Sequence, residues 1–149
     1  MIARPLNPYP TYADIQIGCH RIVNKIMRDG VLIDCVMGLV RGGLVPATII
    51  SHIMDVPMIT ATYSSHNGAG QRKHNNHLPN IPNILGNLLI VDDICDSGYT
   101  LSEVSLFYQK DYPVKTAAIY NKRNLNYTPD YFMYSIGEDS PYITFPWEV

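Results

Sequence analysis

The stretch Leu88–Leu101, LLIVDDICDSGYTL, constrains this chain more than any other. Leu88-Leu89-Ile90-Val91 is apolar at every position, as suits a strand covered on both faces at the centre of a parallel sheet. The run ends abruptly in Asp92-Asp93, Ser97-Gly98 marks a turn, and Thr100 with Glu103 has the form of a helix-opening capping box. A buried strand, two carboxylates, a glycine turn and a helix thus follow one another closely. That order places the acids and the free N–H groups of a helix start at the carboxyl edge of a sheet, where open α/β folds bind ligands.

The rest of the chain supplies the other layers. Thr11 with Asp14 has capping-box form, and Ile15, Cys19, Ile22, Val23, Ile26 and Met27 recur at helical spacing until Gly30. Ile33 to Val40 reads as a strand, Arg41-Gly42-Gly43 as a loop, and a second helix opened by Pro46 runs to about Met54. Pro57 to Tyr63 and Val114 to Tyr120 read as further strands. The run Pro57 to Tyr63 is followed by about twenty polar residues rich in Asn, His, Gly and Pro, the length of a functional lid or a disordered segment. The last thirty residues, rich in Tyr and Pro, read as a small appended subdomain. The alternation of strands and helices predicts one domain over residues 1–149, an open, mainly parallel twisted sheet flanked by helices.

Composition bounds the function. A chain of 149 residues with 46% hydrophobic content can bury one core, and its net charge of −2 gives no footprint for nucleic acid or an anionic membrane. No apolar run approaches the roughly 20 residues of a bilayer span, and the first ten residues lack a secretory pattern, so a cytoplasmic protein is expected. Cys19, Cys35 and Cys95 are unpaired in spacing and read as reduced structural thiols. Asn126-Tyr127-Thr128 has the form of a glycosylation acceptor, read as coincidence in such a protein.

The chemistry of Leu88–Leu101 follows from its residue types. Backbone N–H groups of the Asp96–Thr100 turn, with the Ser97 and Thr100 hydroxyls, can surround a dianionic phosphate at the positive end of a helix dipole, and Gly98 permits close approach. Asp92 and Asp93 are poor neighbours for a phosphate, but their oxygens suit the hydroxyls of a sugar attached to it. A site wanting both is a ribose-phosphate site. Ser97 as a hydrolase nucleophile is disfavoured, because no G-x-S-x-G elbow surrounds it.

The stretch resembles the phosphoribosyl pyrophosphate signature of type I phosphoribosyltransferases: a strand, two acidic residues, two spacers, then Asp-Thr/Ser-Gly-x-Thr. Asp92, Asp93, Asp96, Ser97, Gly98 and Thr100 match, with Tyr99 at the free position. Gly38–Leu44 resembles the family's pyrophosphate loop, although an Arg-Gly-Gly turn taken alone is as often merely a tight turn. Its glycines can turn backbone amides toward an anion, and Arg41 adds a fork of donors. The resemblance implies the type I fold with a small C-terminal hood over about 121–149, and a mobile catalytic loop over about 62–80. It implies that Asp92 and Asp93 hold the ribose, that Asp96, Ser97, Gly98, Tyr99 and Thr100 take the 5-phosphate, and that Arg41, Gly42 and Gly43 take pyrophosphate. Asp96 would be the acid/base facing the purine, Arg41 the second catalytic group, and Val40-Arg41 a candidate cis peptide.

Tyr63-Ser64-Ser65 resembles the loop start of bacterial xanthine-guanine enzymes, and Gln71-Arg72 lies where it could reach pyrophosphate. His66, His74 and His77 read as solvated rather than as a transition-metal site. Mg²⁺ is implied instead, with Asp92 as its ligand, directly or through water.

Lys122 ends a strand where 6-oxopurine enzymes place a lysine for the purine O6, though a solvated strand-end lysine is the plain alternative. Pro141–Glu148 resembles the closing segment of xanthine-guanine phosphoribosyltransferases, putting Tyr142 at the stacking position and Ile143 at the backbone position. Bacterial members commonly have tryptophan where this chain has Tyr142, which leaves the preferred base open. Trp147 reads as a core or interface anchor.

The implied activity is transfer of the phosphoribosyl group from phosphoribosyl pyrophosphate to xanthine, guanine or hypoxanthine in purine salvage. A homo-oligomer, dimer or tetramer, is usual among relatives. The rival is a nucleotide-sensing regulator of the same fold that binds RNA, for which only Asn121-Lys122-Arg123 offers a basic cluster. A purely structural partner would leave the acid pair and phosphate turn unexplained.

Overall fold

The computed structural model describes residues 6–64, 76–123 and 126–149. Its elements are α1 (Tyr12–Arg28), β1 (Ile33–Leu39), α2 (Leu44–Met54), β2 (Met58–Ala61), β3 (Asn87–Cys95), α3 (Tyr99–Gln109), β4 (Val114–Lys122) and β5 (Tyr131–Ile136). The strands form one sheet in the order β2-β1-β3-β4-β5, every neighbouring pair parallel. Helices α1 and α2 pack on one face, where Ile15, Ile22, Ala47 and Ile50 meet Leu89 and Val91. Helix α3 packs on the other, where Leu101, Val104 and Tyr108 meet Leu88 and Ile90. Each residue from Leu88 to Val91 is therefore buried by one layer or the other, which is why the run shows no alternation.

Helix α1 begins as expected. The Asp14 N–H donates to Thr11 Oγ1 at 3.2 Å and the Thr11 N–H donates to Asp14 Oδ2 at 2.8 Å, closing the capping box. Of its apolar stripe only Met27 departs, 67% exposed at the last turn. Gly30, just past the end, adopts φ +68°, open to glycine without strain.

The other two helices start earlier than expected, and for one reason. Helix α2 opens at Leu44 after Gly43, with Pro46 inside the first turn, where a missing N–H costs no intrahelical bond. Helix α3 opens at Tyr99 after Gly98, so Thr100 is a helical residue and not a cap, and no side chain caps either helix. In both, a closely packed glycine sets where the helix begins, Gly43 against β1 and β3 and Gly98 against Tyr127.

Strand β3 runs on past the acid pair to Cys95 rather than ending at it. Its pairing with β1 stops at Gly38↔Val91, but its pairing with β4 continues through Asp92↔Ala118 to Cys95↔Asn121. Strand β2 is shorter than the run Pro57 to Tyr63. Beyond it Thr62 and His77 exchange backbone hydrogen bonds of 2.9 and 2.7 Å, and the Ser64 N–H donates to Asn76 Oδ1, so the foot of the expected 62–80 loop is a closed pair. His66, Gln71, Arg72 and His74 lie outside the described residues.

The tail is not wholly a separate unit, since β5 extends the main sheet beside β4. Residues 137–149 carry no strand or helix; Ile143 and Phe145 pack into the core, and the Thr144 N–H donates to Pro8 O, before α1, at 2.8 Å. Among the described residues no helix is long and apolar enough to cross a membrane. All three cysteines are free and buried, and burial pushes the Cys19 and Cys95 thiols up to about 12. A thiol reagent at neutral pH should therefore leave the folded protein unlabelled and titrate three thiols after denaturation; rapid labelling of the native protein would contradict this burial.

Candidate functional site

The sheet order creates a crevice. From β1 the chain moves outward to β2, whereas β3, on the other side of β1, leads on to β4, so the connections leaving the carboxyl ends of β1 and β3 diverge. Those connections are Val40–Gly43 and Asp96–Gly98, the two motifs singled out in the sequence.

In the first, the Val40-Arg41 peptide is cis. Gly43 packs so closely that a Cβ there would stand 2.8 Å from both the nitrogen and the oxygen of Leu39, and a Cβ on Gly42 would overlap the Asp93 carboxyl. Both glycines are thus required by close packing of the turn against β1 and β3, beyond any freedom to aim amides. The Gly43 N–H already donates to Leu39 O at 2.9 Å, which leaves the Gly42 amide as the one of the pair available to a ligand. Arg41 is exposed beside it.

The acids stand on the part of β3 that β1 no longer covers. Asp92 Oδ1 accepts the Asp93 N–H at 2.9 Å, and Asp93 Oδ1 accepts the Ile94 N–H at 2.7 Å. Burial first, then the neighbouring Asp93 charge, pushes the Asp92 carboxyl well above its usual range. Burial also raises Asp93, assisted by the Glu148 charge and opposed by hydrogen bonds from Asp92 and the Ile94 N–H. Such a pair is charge-crowded and favours hydroxyl donors or a cation.

The second connection brings Asp96 and Ser97, both exposed, to the start of α3. Gly98 adopts φ +84°, and a Cβ there would collide with Cβ of Tyr127. The first helical hydrogen bond runs from the Ser102 N–H to Gly98 O at 3.0 Å, so the amides before it have no intrahelical acceptor, and the Tyr99 N–H makes a long 3.4 Å contact to Ser97 Oγ. Half-buried Tyr99 and Thr100 complete the turn.

Beside these motifs a cleft of about 110 Å³ is lined by Asp93, Asp96, Lys122, Tyr142, Ile143 and Glu148, among others. Lys122 Nζ lies 3.2 Å from Asp96 Oδ1, joining the ends of β4 and β3. The Ile143 side chain is buried in the core, and Trp147 stacks on buried Phe145 with centroids 4.8 Å apart, as an anchor should.

A family model described as the phosphoribosyl transferase domain matches residues 10–149. The chain belongs to this family. It is 32% identical over 118 residues to the xanthine-guanine phosphoribosyltransferase of Cereibacter sphaeroides, spanning 76% of this chain and 68% of that protein. Among solved structures, the purine phosphoribosyltransferase of Pyrococcus horikoshii superposes with a TM-score of 0.76 at 28% identity, covering 95% of this chain and 93% of that one. The Helicobacter pylori xanthine-guanine-hypoxanthine phosphoribosyltransferase has the same fold, with a TM-score of 0.76 at 22% identity over 95% and 92% of the two chains. The expectations of a type I fold and of an enzyme of the phosphoribosyltransferase class are met.

Within this phosphoribosyltransferase fold, Arg41–Gly43, Asp92, Asp93, Asp96–Thr100 and Lys122 lie at or just beyond the carboxyl ends of β1, β3 and β4, and Tyr142 and Ile143 line the cleft beside them. Two participants went unread. Tyr127 packs on Gly98 from the connection before β5, its hydroxyl 2.7 Å from Thr116 Oγ1, while Thr116 and Asp130 exchange further hydrogen bonds. Glu148 lines the cleft through a side chain that local pattern gave no reason to select. Asn121 and Lys122, of the supposed basic cluster, are respectively buried and engaged with Asp96.

The raised Asp92 value has a stability consequence. The native state holds a proton that the unfolded chain releases near 3.8, so stability is fullest below that pH and declines as pH rises toward the native value. Asp92→Asn should therefore have a higher urea midpoint than the wild type at about pH 7.5, with the gap narrowing toward about pH 4. An equal or lower midpoint at the higher pH would contradict the charge crowding.

Proposed function

We propose that this enzyme transfers the 5-phosphoribosyl group from phosphoribosyl pyrophosphate to a 6-oxopurine, with release of pyrophosphate, in purine salvage. One observation carries the reading: a hydroxyl-accepting acid pair and an amide-rich turn stand at the end of one strand, beside a cleft holding both a carboxylate and a lysine. The names of the relatives support the same class of base.

In this reading Asp92 and Asp93 accept the ribose hydroxyls, and the Asp96–Thr100 turn takes the 5-phosphate at the helix N-terminus. A purine nitrogen attacks the anomeric carbon, the bond to pyrophosphate breaks, and the bond pair leaves with the pyrophosphate oxygen. Arg41 and the Gly42 amide receive that charge, while Gly43 shapes the turn that presents them. Asp96 exchanges a proton with the purine imidazole ring, and Lys122 donates to O6, so binding of the base replaces their mutual ion pair. Tyr142 stacks on the ring and Ile143 offers main-chain groups to its edge.

The donor set fits Mg²⁺. The crowded carboxyls of Asp92 and Asp93 are hard oxygen donors that a cation would relieve, and no cluster of three or more acidic, histidine or cysteine side chains among the described residues offers a full cage. Asp92 would hold the ion, directly or through water, with pyrophosphate and water completing its shell. When bound it would neutralise charge on the leaving group.

The test is pyrophosphate release from phosphoribosyl pyrophosphate and Mg²⁺ with xanthine, guanine, hypoxanthine, adenine, uracil or orotate supplied separately. Release should depend on one of the first three. Asp96→Asn should lower kcat by about 100-fold or more while phosphoribosyl pyrophosphate affinity changes little. Release with another base alone would remove the roles of Lys122 and Tyr142. Tight nucleotide binding without release under any condition would favour the nucleotide-sensing regulator instead.

A further inference from the structure

Tyr142, the residue assigned to stack on the base, is 77% exposed, and no aromatic ring among the described residues packs against it. Its ring is held by its hydroxyl, which donates to Glu148 Oε1 at 3.1 Å. The other oxygen of that carboxylate, Oε2, accepts the Phe145 N–H at 2.9 Å. The Glu148 N–H in turn donates to Phe145 O at 3.0 Å, closing a tight turn that fixes where the carboxylate begins. Phe145 is 3% exposed, stacked on Trp147 and edge-on to Tyr120 at 5.8 Å. One carboxylate therefore ties an exposed ring to a buried anchor.

We propose that Glu148 is a positioning residue for purine recognition, holding the Tyr142 ring in its stacking orientation through the tyrosine hydroxyl. The proposal rests on the reading of the cleft as a base site. An exposed tyrosine without a tie samples several rotamers, and stacking would have to select one of them. Fixing the ring before the base arrives removes that cost from binding. The tie uses the phenolic hydroxyl, a group that a tryptophan at this position does not carry. The same hydrogen bond, with the charge of Glu148, raises the Tyr142 hydroxyl above its ordinary value of 10.0, consistent with a bonded and not a free phenol.

The experiment compares wild type, Tyr142→Phe, Glu148→Ala, Glu148→Gln and the Tyr142→Phe/Glu148→Ala double variant. Tyr142→Phe and Glu148→Ala should each raise the KM for the base by about threefold to tenfold, with the effect on KM rather than kcat and little change in phosphoribosyl pyrophosphate affinity. The double variant should be no worse than either single one, and Glu148→Gln, which can still bond the hydroxyl, should recover part of the loss. Additive losses in the double variant, or an unchanged KM in Tyr142→Phe, would overturn the proposal. The tie is read separately, without activity, from the titration of the ¹³C-ζ resonance of Tyr142, assigned by its loss in Tyr142→Phe. That titration should move to lower pH in Glu148→Ala. A titration indifferent to Glu148 sinks the tie itself. A titration that depends on Glu148 in a protein binding no purine sinks the base-site reading, and the role of the tie with it.

Discussion

The arrangement at the end of β3 governs the rest of the molecule. Up to Val91 the strand is paired on both sides and buried by both helical layers; beyond it β1 turns away while β4 continues to pair as far as Cys95. Asp92 and Asp93 sit on this singly paired extension, rigid because β4 and their own local N–H bonds hold them, yet open toward the crevice that β1 has vacated. A strand paired on both sides throughout would leave the acids no crevice to face. A strand ending at Val91 would leave them on a mobile loop.

Close backbone approach makes that crevice narrow. Gly42 meets the Asp93 carboxyl and Gly43 meets the backbone of β1 and β3, so the Val40–Gly43 turn lies against the acid pair without a side chain between them, while Gly98 lets Tyr127 pack against the Asp96–Gly98 turn. The cost is electrostatic. Carboxyls crowded in partly dry surroundings resist ionisation, as the raised Asp92 and Asp93 values express. A ligand that brings hydroxyls or a cation relieves the strain that the fold itself imposes, which suits a site to binding more than to stability.

Across the cleft, the tail solves a different problem. A short segment without helix or strand must hold polar and aromatic groups in fixed places, and it does so from the Phe145–Trp147 stack and the Tyr120 contact beneath it. The fifth strand matters here, because it carries the chain back along β4 and delivers residues 137–149 to the edge where Lys122 and Asp96 meet.

The local features were legible in the sequence by themselves. The capping box of α1, the unbroken apolar run of β3, the acid pair and the glycine turn each depend on residues within a few positions of one another, so propensity and spacing suffice to read them. The same holds for the placement of Arg41 and Lys122 at strand ends. The tertiary structure alone decided that β3 continues past its acids, that α2 and α3 open directly after packed glycines, and that the tail contributes a fifth strand to the sheet. It alone placed Tyr127 on Gly98 and joined Glu148 to Tyr142. These are matters of register and contact between segments far apart along the chain or free to turn either way. Nothing in a residue's own neighbourhood specifies which distant backbone will lie against it, so such features exist only once the sheet has been assembled.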